Sequence, residues 1–211
     1  MSMFRQRGQR TRRLLSFLRR RAGAQPARRP EMDCRSFPDL FRKRAVVFTD
    51  TADFTVRTAR DGILHFLMIF DRFMVQAEKV VSRAGGDVVK VEADSLLLRF
   101  DDAKTACAGV EALEALLRRM NRTLPANERL RFSYGIGYGD VLDLDGDVFG
   151  LEVNLASKIG EDLARPGEIL LTPQAAAALD PATLRRVVPH KVVAFGRSAI
   201  PVHRLKPRAR A

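Results

Sequence analysis

The sequence predicts an α+β domain in which helices cover a largely antiparallel sheet. Apolar runs of strand length alternate with longer stretches of helical apolar period. Several neighbouring strands are joined by hairpin turns rather than helices, which argues against a doubly wound parallel sheet. With 211 residues, 46% of them hydrophobic and 29% charged, the chain is long enough to bury one core.

The elements follow in order. Residues 45–49, Ala-Val-Val-Phe-Thr, read as a first strand ending on Asp50. Apolar residues then recur at Ile63, Phe66, Leu67, Phe70, Phe73, Met74, Ala77, Val80 and Val81, a helical period that stops at Gly85-Gly86. Leu64, Met68 and Ile69 widen this stripe beyond one core contact and suggest a second buried surface, such as a subunit interface. Residues 88–91 and 96–100 form a hairpin turning around 92–95. A second helix runs from Ala103 to about Met120, with Ala106, Val110, Leu113, Leu116 and Leu117 inward. Pro125 and Asn127 break the chain before a strand at 130–136, which leads through Gly137 and Gly139 into 141–144. The order to this point is βαββαβ. Asp145-Gly146-Asp147 marks a turn, 153–163 a short helix, 168–171 a strand, 173–179 a small helix, and 191–194 with 201–205 a last hairpin.

The net charge of +12 is unevenly placed, because the first thirty residues hold ten Arg and no acid. Basicity is a property of the tail, so a nucleic-acid-binding face on the folded domain is not expected. Residues 1–40 read as a basic, disordered extension, 41–205 as the domain and 206–211 as a basic tail. Leu14, Leu15 and Leu18, flanked by Arg12, Arg13, Arg19, Arg20 and Arg21, form one face of a short helix suited to weak contact with an anionic membrane surface. A solvated basic extension is the other reading. Cys34 and Cys107 have no metal-type spacing and no need of a disulfide, and no apolar run approaches membrane-spanning length, so a cytoplasmic location is expected.

Asp50 and Asp94 each follow a short apolar run, with a helical stretch between them. Two carboxylates at the ends of neighbouring strands suit Mg²⁺, a hard cation that takes the rest of its shell from water and substrate phosphates. The same residues would also serve as a helix cap and a hairpin turn.

Three blocks carry a resemblance. The run at 45–55, Ala-Val-Val-Phe-Thr-Asp-Thr-Ala-Asp-Phe-Thr, is similar to the opening signature of class III nucleotidyl cyclases. Gly85-Gly86-Asp87-Val88-Val89-Lys90-Val91-Glu92-Ala93-Asp94 resembles the second signature, and the run from Asp147 to Lys158 the third, with Pro166-Gly167-Glu168-Ile169 opening the usual next strand. The resemblance covers roughly residues 43–205, in order and with the family's spacing.

It implies a ferredoxin-like βαββαβ core with C-terminal additions and a reaction converting ATP to 3′,5′-cyclic AMP and pyrophosphate. Two Mg²⁺ or Mn²⁺ ions per site would be held by Asp50, Asp94 and the carbonyl of Thr51. Ala52, Asp53, Phe54 and Thr55, at a helix start, would offer backbone N–H groups to the triphosphate. Lys90 and Asp147 would read adenine, Lys as donor to ring N1 and Asp as acceptor from the N6 amine. Asn154 would orient the ribose and Lys158, where the family usually has Arg, would stabilise phosphate charge without the guanidinium fork. A triphosphate-binding Lys expected on the last hairpin is missing, with Arg197 as the nearest substitute. The family assembles such sites across a dimer, so a homodimer is implied. Lys158 and the missing Lys keep open a catalytically weak nucleotide-binding or regulatory domain, and small pocket changes around Lys90 keep open GTP or a pyrimidine nucleotide. Lys90 as a solvated strand residue and Asp147 as a turn former remain the plain alternative.

Overall fold

The computed structural model describes residues 8–208. Its helices are α1 (Gln9–Gly23), α2 (Arg29–Leu40), α3 (Phe54–Asp61), α4 (Ile63–Arg83), α5 (Ala103–Asn121), α6 (Leu151–Glu161), α7 (Pro173–Ala177) and α8 (Pro181–Leu184). The strands are β1 (Phe41–Thr51), β2 (Gly86–Glu92), β3 (Ser95–Phe100), β4 (Phe132–Asp143), β5 (Val148–Phe149), β6 (Ile169–Leu171), β7 (Val187–Phe195) and β8 (Ser198–Leu205). They form one sheet in the order β2-β3-β1-β4-β6-β8-β7, with β5 paired to the end of β4. Only β4 and β6 run parallel among the described pairs. The expected α+β class, with its mainly antiparallel sheet, is what the chain adopts.

Strand alternation divides the core in two. On one face, Ala45 and Val47 of β1 and Phe132, Tyr134 and Ile136 of β4 pack under α4 and α5. Aromatic contacts knit this side, with the Phe73 and Phe132 ring centroids 5.1 Å apart. On the other face Val46, Phe48 and Leu97 meet Val141, Val148 and Ala156 of α6. The stripe on α4 is split accordingly. Ile69 is core, whereas Leu64 is 79% exposed and Met68 48%.

Glycine spacing lets α6 lie directly on β4. Gly135, Gly137 and Gly139 occupy every second position of the strand and so share one face. A Cβ on Gly135 would stand 2.0 Å from the Ala156 carbonyl oxygen, and one on Gly137 would stand 2.4 Å from that of Glu152. Gly160 fits the helix side of the same contact, its Cβ position lying 3.0 Å from the Phe48 carbonyl oxygen. The long β1–β4 ladder, from Phe41 opposite Leu142 to Thr51 opposite Phe132, carries the rest of the sheet.

The N-terminal segment departs from the expected disorder. Residues 9–40 form α1 and α2, and Leu14 and Phe17 are buried with Leu40 and Leu144. The buried face is Thr11, Leu14 and Phe17, spaced i and i+3, rather than Leu14, Leu15 and Leu18. Of the expected face only Leu14 is buried on the domain, while Leu15 is half-buried and Leu18 exposed. Residues 1–7 of the extension and 209–211 of the tail lie outside the described residues. Within the tail, Arg208 reaches Glu111 at 3.0 Å.

Replacing Gly135 with Ala should lower unfolding stability by about 2–3 kcal/mol, the usual cost of forcing a methyl group into close-packed backbone. Urea denaturation would measure it, and Gly167→Ala would report the cost of a left-handed backbone alone, since its Cβ meets nothing within 4 Å.

Candidate active site

The end of β1 is tied to the β2–β3 turn by two threonines whose side chains point to the α4 and α5 face. Thr51 Oγ1 donates to the Asp94 carbonyl at 2.7 Å, and the Leu96 N–H donates to Thr49 Oγ1 at 3.0 Å. Asp50, between them, points to the opposite face. The Ala52 N–H donates to the Arg131 carbonyl at 2.9 Å, so antiparallel alternation turns the Thr51 backbone groups away from β4 and toward Asp94. Asp53 and Ala93 are the non-glycine residues with left-handed backbone among the described residues, at φ 64° and 53°. They flank the two carboxylates, as strained backbone commonly does at functional sites.

The charge at this end of the sheet is one-sided. Burial, then the nearby Asp94, Glu161 and Asp162 carboxylates, push the Asp50 carboxyl up to about 6. Burial also raises Asp94, against hydrogen bonds from backbone N–H groups, that of Thr51 among them. Among the described residues no Lys or Arg bonds to Asp50 or Asp94. Such a set of hard, crowded oxygen donors fits a divalent cation. Among the described residues no group of three or more His, Cys, Asp and Glu side chains could hold a metal ion. Two carboxylates and the Thr51 carbonyl would therefore need substrate oxygens or water to complete a shell.

The structure departs from the expected triphosphate cradle in part. The Ala52 N–H is already committed to Arg131. Asp53 stands at the N-cap of α3 without a side-chain capping bond, and its carboxylate pairs with Arg131 at 2.5 Å. Phe54 turns inward and packs edge-on to Phe66 at 4.7 Å, while Thr55 is exposed. Arg197 lies in the β7–β8 turn, at the sheet edge opposite β2 and β3, so a single chain does not bring it to Asp50.

A second cluster assembles on the α6 face. Val141 and Val148 pack on Val46, Phe48 and Leu97, so the end of β4 and its turn into β5 fold back over β1 and β3. This carries Asp147 to Lys90, with Nζ to Oδ2 at 3.4 Å. Glu92, which the sequence reading did not assign, takes the same ammonium at 3.0 Å. Although burial opposes the Lys90 charge, the hydrogen bond to Glu92 and the charge of Asp147 hold its pKa above the ordinary lysine value. Asn154 and Lys158 are exposed on one face of α6, one turn apart. Lys158 pairs with Asp162. Glu161 and Asp162 were also missed, although the i,i+4 spacing of Lys158 and Asp162 was visible in the sequence. Among the described residues no hydrogen bond or ion pair joins Asp50 or Asp94 to Lys90, Asp147, Asn154 or Lys158.

Solved structures share this fold. A domain described as adenylate/guanylate cyclase/hydrolase from Silicibacter pomeroyi superimposes with a TM-score of 0.66 over 79% of this chain and 98% of its own, at 23% identity. The fold is that of a class III cyclase catalytic domain. No family model matches the chain. Putative adenylate cyclase 3 of Rhizobium meliloti (strain 1021) is 29% identical over 131 residues, 62% of this chain and 22% of that protein. An adenylate cyclase of Streptomyces griseus is 30% identical over 150 residues, 71% of this chain and 34% of that protein. The chain thus spans about a fifth to a third of the length of these curated relatives. The resemblance drawn from the three sequence blocks holds.

Glu152 anchors α6 beneath this site, its Oε2 accepting from the Thr172 hydroxyl at 2.6 Å and the Tyr138 N–H at 3.0 Å. Burial raises its pKa against those two bonds. The native state therefore holds this proton to higher pH than the unfolded chain, and stability falls as pH rises through that window. Glu152→Gln should remove the part of the pH dependence of stability that sets in as pH rises above the ordinary glutamate range, as read by thermal melts at a series of pH values.

Proposed function

We propose that this chain is a nucleotidyl cyclase that converts ATP to 3′,5′-cyclic AMP and pyrophosphate, with its sites completed between two copies. The observation that carries the reading is the contact of Lys90 with Asp147, fifty-seven residues apart, in the pairing that the cyclase resemblance assigns to adenine. Lys90 donates to ring N1, and Asp147 accepts from the exocyclic amine. Asn154 orients the ribose, and Lys158 leaves Asp162 to balance charge on the phosphate as the 3′-hydroxyl attacks. Asp50, Asp94 and the Thr51 carbonyl hold Mg²⁺ or Mn²⁺. A divalent cation held there would supply a lower pKa for the attacking hydroxyl and neutralisation of charge on the departing pyrophosphate. Asn154 and Lys158 face outward on α6 and, among the described residues, make no bond to Asp50 or Asp94 of their own chain, which supports completion of the site by a second copy.

A weaker reading keeps the nucleotide site with little turnover. It is favoured by the Lys158–Asp162 pair, which must break before Lys158 can act, and by the position of Arg197. A site that takes GTP or a pyrimidine nucleotide would keep the same metal residues and differ around Lys90.

Incubation of the protein with ATP, GTP, CTP and UTP and Mn²⁺, with products identified by mass spectrometry, should yield cyclic AMP. Asp50→Ala should lower its formation by at least about a hundredfold. Another cyclic product would overturn the base assignment, and none from folded protein would favour the binding reading. Asp50→Ala and Asn154→Ala, each inactive alone, should recover about a quarter of wild-type activity when mixed in equal amounts, because half of the random dimers then carry one intact site. Failure of the mixture to recover activity would argue against a shared site.

A further inference from the structure

Asp143, Leu144 and Asp145 lead into the turn that carries Asp147, and α1 holds all three. Arg10 Nη1 lies 2.9 Å from Asp143 Oδ2 and 3.3 Å from the Asp143 carbonyl oxygen. Leu144 is buried against Leu14 and Phe17. Asp145 Oδ2 accepts from both the N–H and the hydroxyl of Thr11, at 2.9 and 3.0 Å. Those donors, the Thr11 N–H foremost, hold the Asp145 carboxyl below its usual range. Gly8 closes over the same carboxylate, where an added Cβ would stand 2.0 Å from Asp145 Cγ. Thr11 is itself only 3% exposed, unusual for a polar residue in so basic a helix.

The turn is short enough to transmit this grip. The Leu144 N–H donates to the Asp147 carbonyl at 2.9 Å, and only Gly146, at φ 146°, separates Asp145 from Asp147. Asp147 Oδ1 accepts from the Val148 N–H at 2.9 Å, leaving Oδ2 toward Lys90. The backbone of the proposed adenine acceptor is thus fixed from outside by α1, and its side chain meets Lys90 on the inside. The proposed metal-holding residues lie at the far end of β1 and in the β2–β3 turn, whereas these contacts touch β1 only near its start, at Phe41 and, through Asp143, at Arg44.

We propose that Asp145, gripped by the start of α1, is a positioning residue that holds Asp147 against Lys90, so that α1 sets how tightly and selectively the purine is bound. The proposal deepens the cyclase reading and rests on its assignment of Lys90 and Asp147 as the base readers. It predicts a loss in base recognition with the chemical step largely intact.

Asp145→Ala removes the acceptor, and Thr11→Val removes one donor while keeping side-chain volume. Both leave Leu14 and Phe17 in place, so thermal melts close to wild type are expected. Amide exchange across residues 143–149 should quicken in both variants. In Asp145→Ala the KM for ATP and its calorimetric dissociation constant should rise about tenfold, with kcat within about threefold and the preference for ATP over GTP reduced by a similar factor. Thr11→Val should move the same quantities less. Unchanged exchange in 143–149, or unchanged affinity and preference in spite of faster exchange, would overturn the proposal. A wild-type protein that binds ATP without forming a cyclic product would end the cyclase reading, while the affinity measurements would still decide the role of Asp145. A wild-type protein that binds no purine nucleotide would overturn both.

Discussion

The close approach of α6 to β4 is the constraint on which the rest of the architecture depends. Side chains on Gly135 and Gly137 would occupy the space of the α6 backbone, so the strand presents bare main chain to a helix that lies on it. Glu152 then reaches through to the Thr172 hydroxyl and the Tyr138 N–H, which fixes the helix along its axis. With the inner face of α6 committed in this way, Asn154 and Lys158 are forced outward, and the helix end delivers Glu161 and Asp162 to the neighbourhood of Asp50. A helix held off by ordinary side chains would sit several ångström further out and would lose that neighbourhood.

The two ends of the β1–β4 ribbon treat buried negative charge in opposite ways. At the end of β1, burial and then the further carboxylates push the Asp50 carboxyl up to about 6, and among the described residues no side-chain cation bonds to it. At the end of β4, Asp143 has a side chain only 1% exposed and meets guanidinium groups from Arg10, Arg44 and Arg99. Burying a carboxylate is costly unless it is paired and hydrogen-bonded. Asp143 is satisfied by the protein itself. Asp50 is left with chemistry that an external cation would complete.

Much of this was legible in the sequence, because hydrophobic period and turn residues report local structure directly. The helices α4 and α5, the β2–β3 hairpin and the strand β4 follow from apolar spacing bounded by Gly85-Gly86, Pro125 and Asn127. Lys90 and Asp147 were paired through the resemblance, and their meeting across the sheet depends on the fold-back of β4 and β5, which no local pattern encodes. The N-terminal helices were read as disordered because ten arginines dominate the composition, and two buried side chains, Leu14 and Phe17, outweigh that signal only once Leu40 and Leu144 are in place. At the helix start, the sequence names Ala52 but cannot say that its N–H is bonded across the ladder. Glu92 and Asp162 escaped notice because each is an ordinary charged residue until its lysine partner is placed beside it.

The three guanidinium groups on Asp143 come from three separate elements, α1, β1 and β3. Two of them belong to the sheet, so Asp143 keeps ion pairs with Arg44 and Arg99 if α1 lifts away. What such a departure uncovers is the patch around Leu144, a modest area beside the main core. The contact of α1 with Asp143 is therefore shared with the sheet, whereas its contact with Asp145 through Thr11 is specific to the helix. The pairing of Asp143 with Arg44 and Arg99 thus ties β4 to β1 and β3 by contacts that do not pass through α1.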